Sequence, residues 1–215
     1  MATTFRPGRL EAFSDGVFAI AITLLVLEIS VPEGSGDDLL DAFLDQWPSY
    51  LAYVVSFATI AETWVRHTTI THYLHGIDTI FVRLNLMLLL FVSFLPFPTG
   101  LVAEHVHDKD AERVAATILG INLLLLAVLV NTMWRHAVHR GLVRPDADDE
   151  EVQLLAQRLT PGLAAYVALI LVCLIAPIVA VVGYLVIALA LLLPFGLRRT
   201  PASETSGGPP APAEP

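Results

Sequence analysis

The sequence predicts an all-α integral membrane protein of six transmembrane helices, and three observations lead there. Hydrophobic residues make up 55% of the 215 positions and charged ones only 15%, with a mean hydropathy of +0.68, too apolar for a soluble domain of this size. The apolar residues gather in long runs without strand-like alternation. Backbone amides in lipid find no water, so such runs must close their hydrogen bonds within themselves, as helices. The basic residues, finally, alternate from one side of successive runs to the other.

A crossing takes about 20 residues at about 1.5 Å each. Runs of that order cover 9–31, 47–66, 78–103, 112–135, 160–177 and 180–197. The last two form one apolar stretch from Pro161 to Leu197, with Pro177 near its middle and Arg158, Arg198 and Arg199 at its two ends. That pattern predicts a tight helical hairpin in preference to one long kinked helix. Arg6 and Arg9 precede an apolar run containing Ala19-Ile20-Ala21, the outline of a signal peptide. The triplet lies inside the run, however, and five more spans follow, so the segment reads as a retained first span.

Arginine and lysine accumulate on the cytoplasmic side. Arg6 and Arg9 precede helix 1, Arg66 and Arg83 flank the 2–3 loop, Arg135, Arg140, Arg144 and Arg158 fill the 4–5 segment, and Arg198 and Arg199 follow helix 6. The 1–2 loop from Pro32 to Gln46 has no basic residue, and Lys109 and Arg113 sit in or beside an acidic 3–4 loop. Both termini are therefore expected in the cytoplasm of a multi-pass cell-membrane protein. Residues 1–199 form the membrane domain. Residues 147–159 are expected to form a short amphipathic helix on the cytoplasmic face, and 200–215, rich in Pro, Ala, Ser and Gly, a disordered tail.

Composition also narrows function. The net charge of −9 sits in loop acids, and 12 Lys+Arg against 21 Asp+Glu provide no basic stripe for nucleic acid. Cys173 is the lone cysteine, so no intrachain disulfide forms and a buried, inert thiol is expected. The seven histidines fall mainly at segment ends, and no H-E-x-x-H or nucleophile elbow accompanies them. Metal and enzyme chemistry are thereby disfavoured. A secondary transporter would need a charged or broken-helix site at mid-membrane; the span centres hold few polar groups, Asn122 among them.

Helix 1 carries the unusual features: Arg9, Glu11, Ser14 and Asp15 at one end and Glu28 at the other. Ionisable groups near lipid are costly and find partners. At about 100° per residue from Ile20, Gly16, Thr23, Leu24 and Leu27 fall within about 60° of it, Asp15 near −140° and Ser14 near +120°. By periodicity alone the Ile20, Leu24 and Leu27 stripe packs on lipid or on a sibling helix, and Ser14 and Asp15 either cap the helix or reach a neighbour.

The run Arg9-x-x-x-Phe13-Ser14-Asp15, followed by Ala19-Ile20-Ala21-Ile22-Thr23-Leu24, resembles the signature of the TMEM175 family of lysosomal and prokaryotic potassium channels. Trp64-x-x-His67 closing helix 2, Leu84-Asn85-Leu86 in helix 3 and Phe94-Leu95-Pro96-Phe97 near its end fit the same family. The resemblance implies a homotetramer in membrane lipid, with helix 1 of each subunit lining a central pore. It requires no cofactor, potassium being the permeant ion. It assigns Ile20, Leu24 and Leu27 to a hydrophobic constriction with Thr23 as a polar neighbour. Arg9, Phe13, Ser14 and Asp15 would position helix 1, with Trp64, His67 and Asn85 as partners. Proton conduction within the same family and a small secondary transporter are the alternatives.

Overall fold

The computed structural model describes residues 7–29, 39–105, 108–148 and 161–192. Its helices are α1 (Gly8–Leu24, continued by a 3-10 turn over Leu25–Glu28), α2 (Leu39–Asp45), α3 (Trp47–His72), α4 (Thr79–Phe94) and α5 (Pro96–Glu104). They continue with α6 (Lys109–His139), α7 (Pro161–Cys173) and α8 (Pro177–Leu192). Among the described residues the one β feature is an isolated antiparallel bridge between Leu74 and Val143.

Three stretches, Gly8–Glu28, Thr79–Glu104 and Asp110–His139, are long and apolar enough to cross a membrane, and α7 and α8 are apolar but shorter. Helix α3 has the length, 26 residues, but not the apolarity. Its polar side chains Ser56, Thr59, Glu62, Thr63, Arg66 and His67 are all buried, turned into the protein where partners replace water. The apolar stretch near the C-terminus is two helices, as its central proline suggests. Cys173 ends α7 and Pro177 opens α8, where its missing N–H and fixed φ are tolerated.

The structure revises several element boundaries. The third apolar run is broken: Pro96 has no N–H for the carbonyl of Val92, whose acceptor is used instead by Leu95 N at 3.2 Å, and α5 restarts from Pro96. The second run continues past Arg66 to His72, so Trp64 and His67 lie within a helix, not at its close. Residues 39–45, placed in a loop by the sequence, are helical. Residues 149–159 of the expected amphipathic helix and the 200–215 tail lie outside the described residues.

Helices α3, α4, α5 and α6 form the centre, with α7 and α8 packed against α6 and α3. Helix α1 lies on α3 and α4, and its 3-10 turn on α5. The pore-lining candidate is thus a peripheral helix of the single chain.

One junction ties the ends of α3 and α6 together. Beside the Leu74–Val143 bridge, His75 N donates to Leu142 O at 3.1 Å and Arg144 N to Tyr73 O at 2.9 Å. The Asp78 carboxylate caps α4 by accepting from Phe81 N at 2.8 Å, and both its oxygens lie 3.0 Å from His136 Nε2, with Arg140 Nε at 3.6 Å. Burial opposes ionisation of Asp78, but the Phe81 amide, His136 and Arg140 outweigh it and hold the carboxyl below its ordinary range. His136, one of the histidines at segment ends, is therefore mostly buried against a carboxylate.

Candidate functional site: the α1 stripe and its anchor

Two faces of α1 divide its residues by fate. Ser14, Phe18, Ala21 and Leu25, at heptad-like spacing, are buried against α3 and α4. Small Ser14 and Ala21 let the backbones approach closely, as membrane helix contacts require. On another side Ile20 (61% exposed), Leu24 (43%) and Leu27 (72%) stay uncovered by their own chain. Phe13, Gly16 and Thr23 are exposed with them.

The stripe is not a uniform α-helical one. Residues Leu25–Glu28 wind as a 3-10 turn, whose threefold repeat stacks side chains three apart. Leu27 therefore sits above Leu24 and not displaced about 60° from it, as an unbroken α-helix would have it. The Thr23 hydroxyl is turned back on its own helix, within 3.1 Å of Ala19 O and 2.9 Å of Ile20 O, so its proton is committed locally.

The anchor is a chain of side-chain hydrogen bonds. Asn85 of α4 donates through Nδ2 to Ser14 Oγ at 3.0 Å, and its Oδ1 accepts from His67 Nε2 of α3 at 2.7 Å. All three side chains are buried, and the Phe18 ring lies 5.6 Å from that of His67, tilted by 51°. Beside this group, on a more exposed flank, Trp64 Nε1 donates to Asp15 Oδ1 at 2.9 Å. Ser14 and Asp15 thus reach neighbouring helices and do not cap α1, whose N-cap position is Pro7. Arg9 and Phe13 take no part in this chain of bonds. Both are exposed, and Arg9 has no hydrogen bond or ion pair among the described residues.

Two clefts flank α1. One of about 490 Å³ runs between α1 and α3, lined by Asp15, Phe18, Ala19, Ile22, Ile60 and Trp64 among others. The other, about 400 Å³, adjoins the far end of the stripe and includes Leu24, Leu27, Glu28, Phe97, Gly100 and Glu104. A side chain at Gly100 would meet the Glu28 carboxylate, so the absence of one lets that carboxylate lie against α5. Ser56 and Thr99 share a buried hydrogen bond at 2.6 Å between α3 and α5.

Sequence reasoning passed over one charged pair. Arg66, read as a loop-flanking cation, is buried in α3 and paired through Nε with Glu62 one turn earlier. The i,i+4 spacing of opposite charges was the available signal. Asn122 is buried and donates to Phe91 O at 3.2 Å, a helix-to-helix bond between α6 and α4.

Comparison with known proteins follows the same elements. The profile of the family described as "Endosomal/lysosomal potassium channel TMEM175" matches residues 9–96, from the start of α1 to the proline break after α4. The chain is 45% identical over 162 residues to "Potassium channel Cha6605_3372" of Chamaesiphon minutus, covering 73% of this chain and 79% of that one. It is 40% identical over 161 residues to "Potassium channel B446_29190" of Streptomyces collinus, covering 74% and 78%. The crystal structure of a lysosomal potassium-selective channel TMEM175 homolog from Chamaesiphon minutus superposes with a TM-score of 0.80 at 37% identity, over 88% of this chain and 98% of that one. With a shared fold and identities of this order across most of both chains, the protein belongs to the TMEM175 family.

Proposed function

We propose that the protein is one subunit of a potassium-permeable channel of the cell membrane. In this reading it is a homotetramer of six-span subunits with cytoplasmic termini, four copies of α1 enclosing one pore. One observation carries the reading. The apolar stripe Ile20, Leu24 and Leu27 is left uncovered by its own chain, while another face of the same helix is fixed through Ser14 to α3 and α4. A single helix cannot enclose a pore, so the stripe needs copies of itself. Relatives named as potassium channels supply the permeant ion, and none of those proteins is named as an enzyme.

In this reading the spans follow the six apolar runs of the sequence, with the boundaries revised above. Helix α3 crosses despite its polarity because Glu62 and Arg66 pair and His67 Nε2 bonds to Asn85 inside the bundle. In the pore, isoleucine and leucine offer no oxygen to replace an ion's water, so an ion passes partly hydrated through a ring whose width sets the penalty. Potassium releases water more readily than sodium, which favours it modestly. Narrowing the same ring expels water and closes the path, so opening is an iris-like displacement of α1. Ser14, Asp15, Trp64, His67 and Asn85 set where α1 stands.

The test is potassium efflux from proteoliposomes diluted into sodium, with valinomycin marking the maximum. Protein-dependent efflux that weakens in Ile20 or Leu27 variants supports both channel and constriction. Absence of efflux from folded, oligomeric protein over a range of pH and lipid overturns them. Proton flux in excess of potassium flux would reassign the permeant ion.

A further inference from the structure

Helix α2 is amphipathic in an unusual sense, because its apolar face points away from the protein. Leu40, Phe43, Leu44 and the adjoining Trp47 lie within about 100° of arc at about 100° per residue, and each is between 50% and 69% exposed. Asp41 and Asp45 occupy the other side and are exposed as well. In water this arrangement would leave a contiguous apolar patch on the order of 400 Å² uncovered.

We propose that α2 is an interfacial helix whose Leu40, Phe43, Leu44 and Trp47 face is seated in the outer leaflet, at the boundary between headgroups and acyl chains. The inference rests on the reading of α3 as a membrane span. Gln46 alone separates α2 from α3, so α2 lies at the level where α3 enters the bilayer. The Phe43 ring packs 5.0 Å from that of Tyr50, one turn into α3, which fixes the roll of α2 about its own axis. Trp47, Tyr50 and Tyr53 at the start of α3 give this level the aromatic content of a membrane interface.

A second copy of the chain is the weaker occupant. Two such patches face to face would bury about 800 Å² in total, below the roughly 1,000 Å² that a specific protein interface needs, and no basic side chain stands in 30–46 to pair with a partner's acids. The same absence, with Asp41 and Asp45 on the water side, suits zwitterionic headgroups and not anionic ones.

The experiment places a nitroxide on cysteine at Leu40, Asp41, Leu44 or Asp45, one at a time, in protein reconstituted into phosphatidylcholine–phosphatidylethanolamine vesicles. Native Cys173, which is buried, is replaced by alanine throughout. Collision rates with oxygen and with a water-soluble nickel chelate are then compared by power saturation, with a label at exposed Val186 of α8 as the bilayer reference. The proposal expects Leu40 and Leu44 labels to favour oxygen at least threefold over Asp41 and Asp45 labels, and to sit shallower than Val186. Shielding of Leu40 and Leu44 from both reagents would show protein covering the face, and free access of nickel would show water; either overturns the proposal. Nickel access at Val186 would instead overturn the membrane reading of the bundle, and the proposal with it.

Discussion

The side-chain amide of Asn85 joins two helices to α1 at once, giving a hydrogen bond to Ser14 at 3.0 Å and taking one from His67 at 2.7 Å. Replacement by leucine keeps the volume but leaves both partners buried and unpaired. Asn85→Leu is expected to lower stability by about 1 kcal/mol, or about 2–4 °C in unfolding temperature for a chain of this size. Thermal unfolding in detergent checks it. An unchanged midpoint would mean that the three groups find other partners.

Ile20→Asn places an amide on the uncovered stripe without touching the anchored face. Water occupancy of the proposed constriction should rise, and the potassium-to-sodium permeability ratio should fall toward about 1. Bi-ionic reversal potentials measure it. Unaltered selectivity would take Ile20 out of the filter.

Glu62 and Arg66 neutralise each other inside the bundle. Glu62→Leu strands the guanidinium and should cost about 3–5 kcal/mol. Removing both charges in Glu62→Leu with Arg66→Met should recover much of that loss. Unfolding of the single and double variants decides the matter, and equal losses would contradict a paired arrangement.

Tyr184 is fully buried, with its hydroxyl lacking a hydrogen-bond partner among the described residues and directed at Gly120. Tyr184→Phe should therefore be neutral, or stabilising by up to about 1 kcal/mol. Gly120→Ala would drive a methyl into that hydroxyl and into Ile170 and should cost about 1–3 kcal/mol, partly recovered in the Tyr184→Phe background. Differential scanning calorimetry of the three proteins tests both signs.

Because the folded protein holds the Asp78 carboxyl below its ordinary range, its contribution to stability is complete above the unfolded value, about 3.9, and is lost as pH falls through the lowered folded value. Asp78→Asn should accordingly destabilise the protein at pH 5, with the gap to wild type closing below about pH 4. Denaturation midpoints across that range check it. A gap that persists at low pH would assign the loss to the hydrogen bonds alone.

What the sequence made legible followed from strong local signals. Long apolar runs located the helices, and Pro177 announced the hairpin turn. The F-S-D run drew attention to Ser14 and Asp15. Less could be read where a polar residue's fate depended on distant chain. Nothing near Arg66 said that it would be buried, since its partner's spacing is shared by countless surface pairs, and His136 meets an acid 58 residues away. Helix α2 escaped notice because seven residues, Asp41 and Asp45 among them, give periodicity little room. Pro96 was visible as a breaker, but an apolar run on both sides hid the restart of the helix.

The short threefold turn at the end of α1 gives that helix the mechanics of a screw. Rewinding Leu25–Glu28 into α geometry would rotate Leu27 by about 60° relative to Leu24 and draw it back by about 1.5 Å along the axis. Two side chains that now eclipse each other would then point into different sectors while the anchored half below, held at Ser14, stood still. In the proposed tetramer, four such screws turning together would change the bore at one level alone, and the thread of a single turn would set the aperture.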